Sequence, residues 1–337
     1  MVDRRAVTMQ TIADSLGVSR STVSLALREA PVIAEATRQA VREEADRLGF
    51  VPNRSAARLR THQRRLVGLV VPDFANPLVA ATAAGLQRVV GEQERVLLVS
   101  STFEDSVIQR RVLRSLIEEQ VGGVIIASVI GTTAAELAGL AKAQIPTVLL
   151  NRTVEGSSAP VVERSAADIV DLAFDHLYVE HNARRIAYFG GFIDASPRRD
   201  RLEHFASRVA AAGLPSFPAW ASPPSTSTGE ARDTFMALVA ERGMEIDAVI
   251  CHSDTVAMGV LRALANMGIH IPVVGIDDLD FAADMTPSLT TVRTDARGLG
   301  ELAGRTLLTL MGSTFEPTLE PALELIVRES CGCAEHS

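Results

Sequence analysis

The sequence predicts a small all-α helix-turn-helix headpiece followed by an α/β body of two doubly wound, parallel-sheet lobes. Three observations lead there. Two short apolar stripes flank a glycine within residues 8–27, short apolar runs alternate with longer amphipathic ones from Leu66 onward, and charge divides unevenly between the two regions. Alternation of this kind argues for parallel sheets with helices on both faces. Roughly 270 residues of it, with the same texture in both halves, exceed one ordinary domain and suggest two lobes.

In TMQTIADSLGVSRSTVSLAL, Ile12 and Leu16 lie four apart with Ala13 beside them, giving one apolar face, and Gly17 supplies the permissive backbone for a sharp stop. Val18 closes the small core. Ser19 is suited to cap a second helix in which Val23, Ala26 and Leu27 turn inward. Arg20, Ser21, Ser24 and Arg28 are left outside, where they can donate to base edges or phosphates. Two short helices at a turn are the geometry that lays one helix in a DNA major groove, and they are equally an ordinary helical hairpin.

A third helix is predicted over 34–48, with Val41, Ala45 and Leu48 on one face and Gly49-Phe50 as its stop. Pro52 ends any continuation. Asn53 can cap the segment 54–61, where Ala56, Ala57, Arg58 and Leu59 favour helix but offer almost no core face. A helix so short is not stable alone in water. Residues 60–65 read as a linker. In the body, strands are predicted over 66–71, 96–100, 124–127, 147–150, 185–189, 248–251 and 273–276. Helices are predicted between them over 77–93, 105–120, 134–143, 166–180, 198–212, 230–242 and 254–267. The Pro/Ser/Thr run 222–228 reads as a surface loop. Ligands of such folds bind at the carboxyl ends of the strands, here in the cleft between lobes.

The chain has 337 residues, 47% of them apolar and only 4% aromatic, a composition that supports a large core. No apolar run is long enough to span a bilayer, and MVDRRAVTMQ lacks the apolar stretch of a signal peptide, so a cytoplasmic protein is expected. Residues 1–65 hold 12 of the 33 Lys and Arg but 7 of the 41 Asp and Glu, a net of +5 that leaves −13 for the rest. A basic module on an acidic body can neutralise phosphates locally while the body opposes unspecific adhesion to a duplex. Three cysteines, Cys251, Cys331 and Cys333, cannot build a disulfide framework and show no pattern of metal ligands. Cys331-Gly332-Cys333 reads either as a redox pair or as two spectator thiols near the tail. Asp277-Asp278 and Cys251-His252 have the side chains of acid/base or thiol chemistry, but neighbours on a strand point to opposite faces. No catalytic residue, cofactor or metal is expected.

The runs TIADSLGVSRSTVS, TRQAVREEADRLGFVPN and RSAARL resemble the headpiece of the Lac repressor (LacI/GalR) family of bacterial transcription regulators, and PALELIVRES resembles the family's last strand. The body fold of that family is shared with periplasmic sugar-binding proteins. The resemblance implies a DNA-binding headpiece over 1–52, a hinge helix and linker over 53–65 and an effector-binding, dimerising body over 66–337. Lobe one is then 66–162 plus 293–325, and lobe two is 163–292 plus 326–337. It implies a homodimer on a pseudo-palindromic double-stranded operator and a small-molecule effector, with carbohydrates among the candidates. Arg20 and Ser21 would stand nearest the bases, and Thr22, Ser24, Arg28 and Thr37 would hold phosphates. Thr8, Ser19, Asn53 and Ala56 complete that interface, with Leu59 as a wedge in a minor-groove step. Leu25 stands where some relatives carry a base-reading arginine.

For the cleft the resemblance implies Asn76, Asn151, Arg152, Arg201, Ser253 and Asp277 as ligand-binding residues. The chain departs from the family pattern in four places. Leu78 and Val79 replace frequent aromatic rings, Asn151 replaces an aspartate, His204 replaces a glycine, and Ser253 replaces an asparagine. Arg201 stands in a charge run that also reads as a solvated face, and Asn76 and the aspartates also suit helix capping. The rival reading is a cytoplasmic small-molecule binding protein without DNA function.

Overall fold

The computed structural model describes residues 7–50, 64–221, 224–315 and 321–333. The chain divides into two compact units, with the boundary between residues 63 and 64.

The first unit holds three helices, α1 (Met9–Leu16), α2 (Arg20–Ala26) and α3 (Glu35–Leu48). Ile12, Ala13, Val23, Ala26, Val41 and Ala45 are buried together, and Leu16, Val18, Leu27, Leu48 and Phe50 pack around them. Thr8 and Thr11 cap α1 reciprocally. Gly17 and Gly49 end α1 and α3 at φ 65° and 66°, the left-handed conformation that only glycine adopts without strain. The third helix starts one residue later than predicted because Ala34, at ψ 143°, has an extended backbone.

In the second unit, lobe one is a five-stranded parallel sheet in the order β2-β1-β3-β4-β5. Its strands are β1 (Leu66–Val71), β2 (Val96–Ser101), β3 (Gly123–Ile126), β4 (Thr147–Leu150) and β5 (Val161–Val162). The first three helices of this lobe are α4 (Pro77–Glu92), α5 (Ser106–Glu118) and α6 (Ala134–Lys142). Lobe two has β6 (Ile186–Phe189), β7 (Ala248–Cys251), β8 (Val273–Asp277), β9 (Thr290–Arg293) and β10 (Glu324–Ile326), in the order β10-β9-β8-β7-β6. Its helices are α7 (Ala166–Asp175), α8 (Ser196–Ala211), α9 (Pro218–Ala221), α10 (Thr228–Arg242) and α11 (Asp254–Met267). Successive strand residues feed opposite faces: Ala187 and Phe189 join one core layer, Ile186 and Tyr188 the other. That is the signature of a sheet covered on both sides. Among the described residues no helix is long and apolar enough to cross a membrane.

Several elements differ from the sequence reading. A helix over Ala296–Leu310, α12, was not predicted, although it packs along α4 and completes lobe one. Three glycines mask its propensity, and one of them, together with a glycine of α4, is needed by the contact. A Cβ on Gly300 would come within 2.0 Å of the Thr82 carbonyl oxygen, and one on Gly85 within 1.9 Å of that of Arg297. The predicted 166–180 helix changes at its end into a π turn, His176–Glu180. The last strand runs antiparallel to β9, so Arg293 still belongs to lobe two and Glu324 already does. The crossings therefore lie inside the expected 293–325 piece. In its described part the 222–228 run is only partly a surface loop: Pro224 and Ser227 are exposed. Ser225 is fully buried and its carbonyl accepts from Gly191 N at 2.7 Å, while the Ser227 side chain caps α10.

Candidate functional site

In the headpiece, the Ser19 hydroxyl accepts from Thr22 N at 3.0 Å and lies 2.8 Å from Thr22 Oγ1 and 2.9 Å from Ser21 Oγ. Three hydroxyls thus form one polar cluster at the start of α2. Arg20, Ser21, Leu25 and Arg28 are exposed and Ser24 is half-buried. Among the described residues neither Arg20 nor Arg28 has an ion-pair partner. The arginines of α3 are neutralised instead: Arg38 and Arg42 by Glu35, Arg47 by Glu44. Glu44 also accepts from Ser15, which ties α1 to α3, and these bonds lower its carboxyl to about 2. The free positive charge of the three helices is therefore concentrated on α2. Thr8 caps α1, and Thr37 sits half-buried in the first turn of α3. Asn53, Ala56 and Leu59 lie outside the described residues.

The body contains a cavity of about 630 Å³, lined by both lobes at the carboxyl ends of the strands. All six expected ligand residues line it. Their roles differ. Asn76 and Ser253 cap α4 and α11, accepting from Leu78 N at 3.0 Å and Val256 N at 3.3 Å. Arg152 donates to Glu104 Oε1 at 2.7 Å and to the Ser128 carbonyl at 2.8 Å, so its charge is already spent inside lobe one. Arg201 donates to the His252 carbonyl at 3.1 Å. Asn151 sits at φ 57°, a left-handed conformation that asparagine tolerates, where its chain leaves β4.

The two adjacent aspartates separate. Asp278 is held by Arg293 Nε at 2.7 Å and an Arg328 terminal nitrogen at 2.8 Å, a structural ion-pair cluster, whereas Asp277 faces the cavity. Among the described residues no group donates a hydrogen bond to the Asp277 or Glu163 carboxylate. Burial, with Asp254 nearby, holds the Asp277 carboxyl well above the usual range against the pull of Arg201. Partial desolvation at the cavity wall, with Asp200, raises Glu163 as well, although the residue is exposed. Arg198 resolves the charge run: it is buried, donating to the Gly190 carbonyl at 2.8 Å and to that of Ala221, while Arg199 pairs with Asp200 at the surface. His204 lies 2.9 Å from Asp171 and holds α8 against α7, away from the cavity.

Besides Glu163, sequence reasoning missed three parts of the cleft. Phe103 and Phe192 line it from opposite lobes and are 70% and 39% exposed, so aromatic faces are present although not beside Pro77. His252 also lines it, with Nδ1 2.7 Å from the buried Tyr188 hydroxyl. Burial, reinforced by Arg201, Arg198 and Arg152, keeps this imidazole neutral by moving its pKa well below the ordinary value. Their sequence neighbours carry no motif that marks them. Cys251 is fully buried in the core and burial drives its thiol well upward, the opposite of an activated nucleophile.

Comparison with known proteins matches residues 8–53 to the bacterial regulatory proteins of the lacI family and residues 174–331 to the periplasmic binding protein-like domain. The HTH-type transcriptional regulator MalR of Streptomyces coelicolor is 30% identical over 334 residues, covering 96% of each chain. The chain belongs to the LacI family. As a LacI-family protein it is a DNA-binding transcription regulator, with α1 and α2 as its helix-turn-helix. Its LacI-family fold is seen in the Lac repressor dimer bound to operator and the anti-inducer ONPF, with a TM-score of 0.81 at 24% identity and coverage of 97% and 99%. The transcriptional regulator CelR–cellobiose complex aligns with a TM-score of 0.70 at 27% identity, covering 96% and 99%.

Proposed function

We propose that this regulator binds a pseudo-palindromic operator as a homodimer and is controlled by a polyhydroxyl effector, a sugar or close relative, in the cleft. The observation that supports the effector class is the cleft's supply of unengaged acceptors. Asp277 and Glu163 have no donors among the described residues, their raised pKa values disfavour a second anion, and Phe103 and Phe192 offer apolar ring faces. Hydroxyl groups on an apolar-faced ring meet both demands. CelR was solved with cellobiose, which is consistent with this class.

On DNA, Arg20 and Ser21 read base edges, Thr22, Ser24, Arg28 and Thr37 hold phosphates, and Thr8, Ser19, Asn53 and Ala56 border the duplex. Leu59 from each subunit opens a central minor-groove step. Effector binding changes lobe closure, and coupling of roughly 1–3 kcal/mol suffices to switch operator occupancy. The protein acts in the cytoplasm and the cleft binds its ligand without turnover. The test is selection of bound fragments from the source genome at about physiological salt, where unspecific phosphate binding is weak. An enriched imperfect palindrome is expected, with release by a sugar handled by the neighbouring genes. Asp277→Asn should weaken that release roughly tenfold or more and leave effector-free operator binding intact. Absence of any enriched sequence overturns the operator reading, and release only by an anionic ligand overturns the effector class.

A further inference from the structure

Four side chains with metal-ligand chemistry meet in lobe two, none of them lining the cleft. His176 and His181 bracket the π turn. On an ordinary α-helix a five-residue spacing sets two side chains about 140° apart. Here His181 N donates to the His176 carbonyl at 3.3 Å, and the two rings come onto one side with their Nε2 atoms 3.2 Å apart. Opposite them, Cys331 ends a 3₁₀ turn (Glu329–Cys331), and Gly332 at φ 87° reverses the chain. That reversal brings Cys333 Sγ to 3.3 Å from His181 Nε2. The four donor atoms of His176, His181, Cys331 and Cys333 all lie within 4.8 Å of one another. His176 and Cys331 are buried, His181 and Cys333 half-buried.

We propose that this cluster is a structural site for a tetrahedral, thiolate-binding divalent cation of the zinc type. Two imidazole nitrogens and two sulfurs converging on one point form the donor set of a Cys₂His₂ site, which excludes magnesium and calcium. Around zinc, with sulfur at about 2.3 Å and nitrogen at about 2.0–2.1 Å, neighbouring donors stand about 3.4–3.8 Å apart. Two pairs here are at 3.2 and 3.3 Å and all four atoms lie within 4.8 Å, so a small side-chain adjustment closes the site. With four protein ligands no position stays open for substrate, so the role is to brace the fold. Binding displaces the thiol protons and joins the end of α7 to the C-terminal segment. That segment carries Arg328, which holds Asp278 beside the cleft residue Asp277. A Cys331–Cys333 disulfide would use the thiols but leave the two imidazoles facing each other without a common partner.

The full-length protein, stripped of metal and kept reduced, is titrated with cobalt(II) and then zinc(II). One cobalt ion per chain is expected, with the intense visible absorption of tetrahedral coordination and a thiolate-to-metal band, both abolished by an equivalent of zinc. The paired substitution Cys331→Ser with Cys333→Ser should lose the spectrum and weaken binding roughly tenfold or more, while His270→Asn, at an exposed histidine elsewhere, retains both. The wild-type spectrum stands whether or not the serine variant folds. A weak octahedral cobalt spectrum, affinity equal to that of the serine variant, or a wild-type mass showing both thiols oxidised in reductant each overturns the proposal.

Discussion

The recognition helix and the cleft put polar side chains to opposite uses. On α2 the hydroxyls cap and bond one another, while Arg20, and Arg28 just past its end, have no ion-pair partner among the described residues. In the cleft most of the expected polar residues already serve the fold: Asn76 and Ser253 as caps, Arg152 inside a lobe, Arg201 on a neighbouring carbonyl. Among the described residues, what remains unengaged there includes the Asn151 amide and the carboxyl groups of Asp277 and Glu163. The difference follows from construction. A short surface helix is organised by offsets of three and four residues, so its outward face can be read locally. A cleft at the ends of several strands adds to such local caps the partners of Arg152 and Arg201, 48 and 51 residues away, and which groups stay free is a tertiary outcome.

The largest expected effect tests whether the two regions are independent. Gly85→Val places side-chain atoms on the Arg297 carbonyl and should force α4 and α12 apart, destabilising the body by about 3 kcal/mol or more. Urea unfolding should show the body transition shifted down while the helical signal of the headpiece persists. A headpiece that melts together with the body would break the comparison. Next in size, Arg20→Ala should weaken specific operator binding by about 1–3 kcal/mol, read as a roughly 5- to 150-fold rise in Kd, with effector affinity unchanged. Equal weakening on random duplex would reassign Arg20 from base reading to phosphate holding.

The smallest effect sharpens the account of the cleft floor. Burial pushes the Asp254 carboxyl up to about 7, against hydrogen bonds donated by the Thr291 hydroxyl at 2.6 Å and Leu279 N at 2.8 Å. The native state therefore holds this proton more tightly than the unfolded chain does. The stability it contributes is complete below the ordinary carboxylate pKa and is lost as pH rises toward 7. Asp254→Asn should flatten that fall by about 1–2 kcal/mol, measured as the pH dependence of the urea midpoint relative to wild type. An unchanged slope would place the proton elsewhere.

Much of the architecture was legible because periodicity was strong. Helix α11 runs over Asp254–Met267 as predicted, and β4 over Thr147–Leu150 likewise. The failures have local causes. Val161–Val162 is too short to register as a strand, and ARGLGELAGRTLLTL hides a helix behind glycines that a contact requires. RRDR reads as one solvated run, yet it sends Arg198 inward, Arg199 outward and Arg201 into the cleft. Cys331 and Cys333 show no metal pattern in sequence because their histidine neighbours stand 150 residues earlier and face each other only through a π turn. The cleft residues were nameable one by one and the cap at Asn76 was legible with them, but the engagements of Arg152 and Arg201 were not.

The pairing of α4 with α12 also sets a timetable for the chain as it is made. A ribosome delivers the three headpiece helices first and the six residues of β1 soon after, but α12 leaves the tunnel only some two hundred residues behind α4. Until then Leu86, Val90 and the buried face of β1 lack the cover that Leu299, Ala303 and Leu307 provide. Lobe one thus begins early and closes late, after lobe two's parallel strands have been synthesised. The nascent regulator carries a complete headpiece core long before it owns a closed ligand site, and during that interval its exposed apolar face is a natural substrate for chaperones.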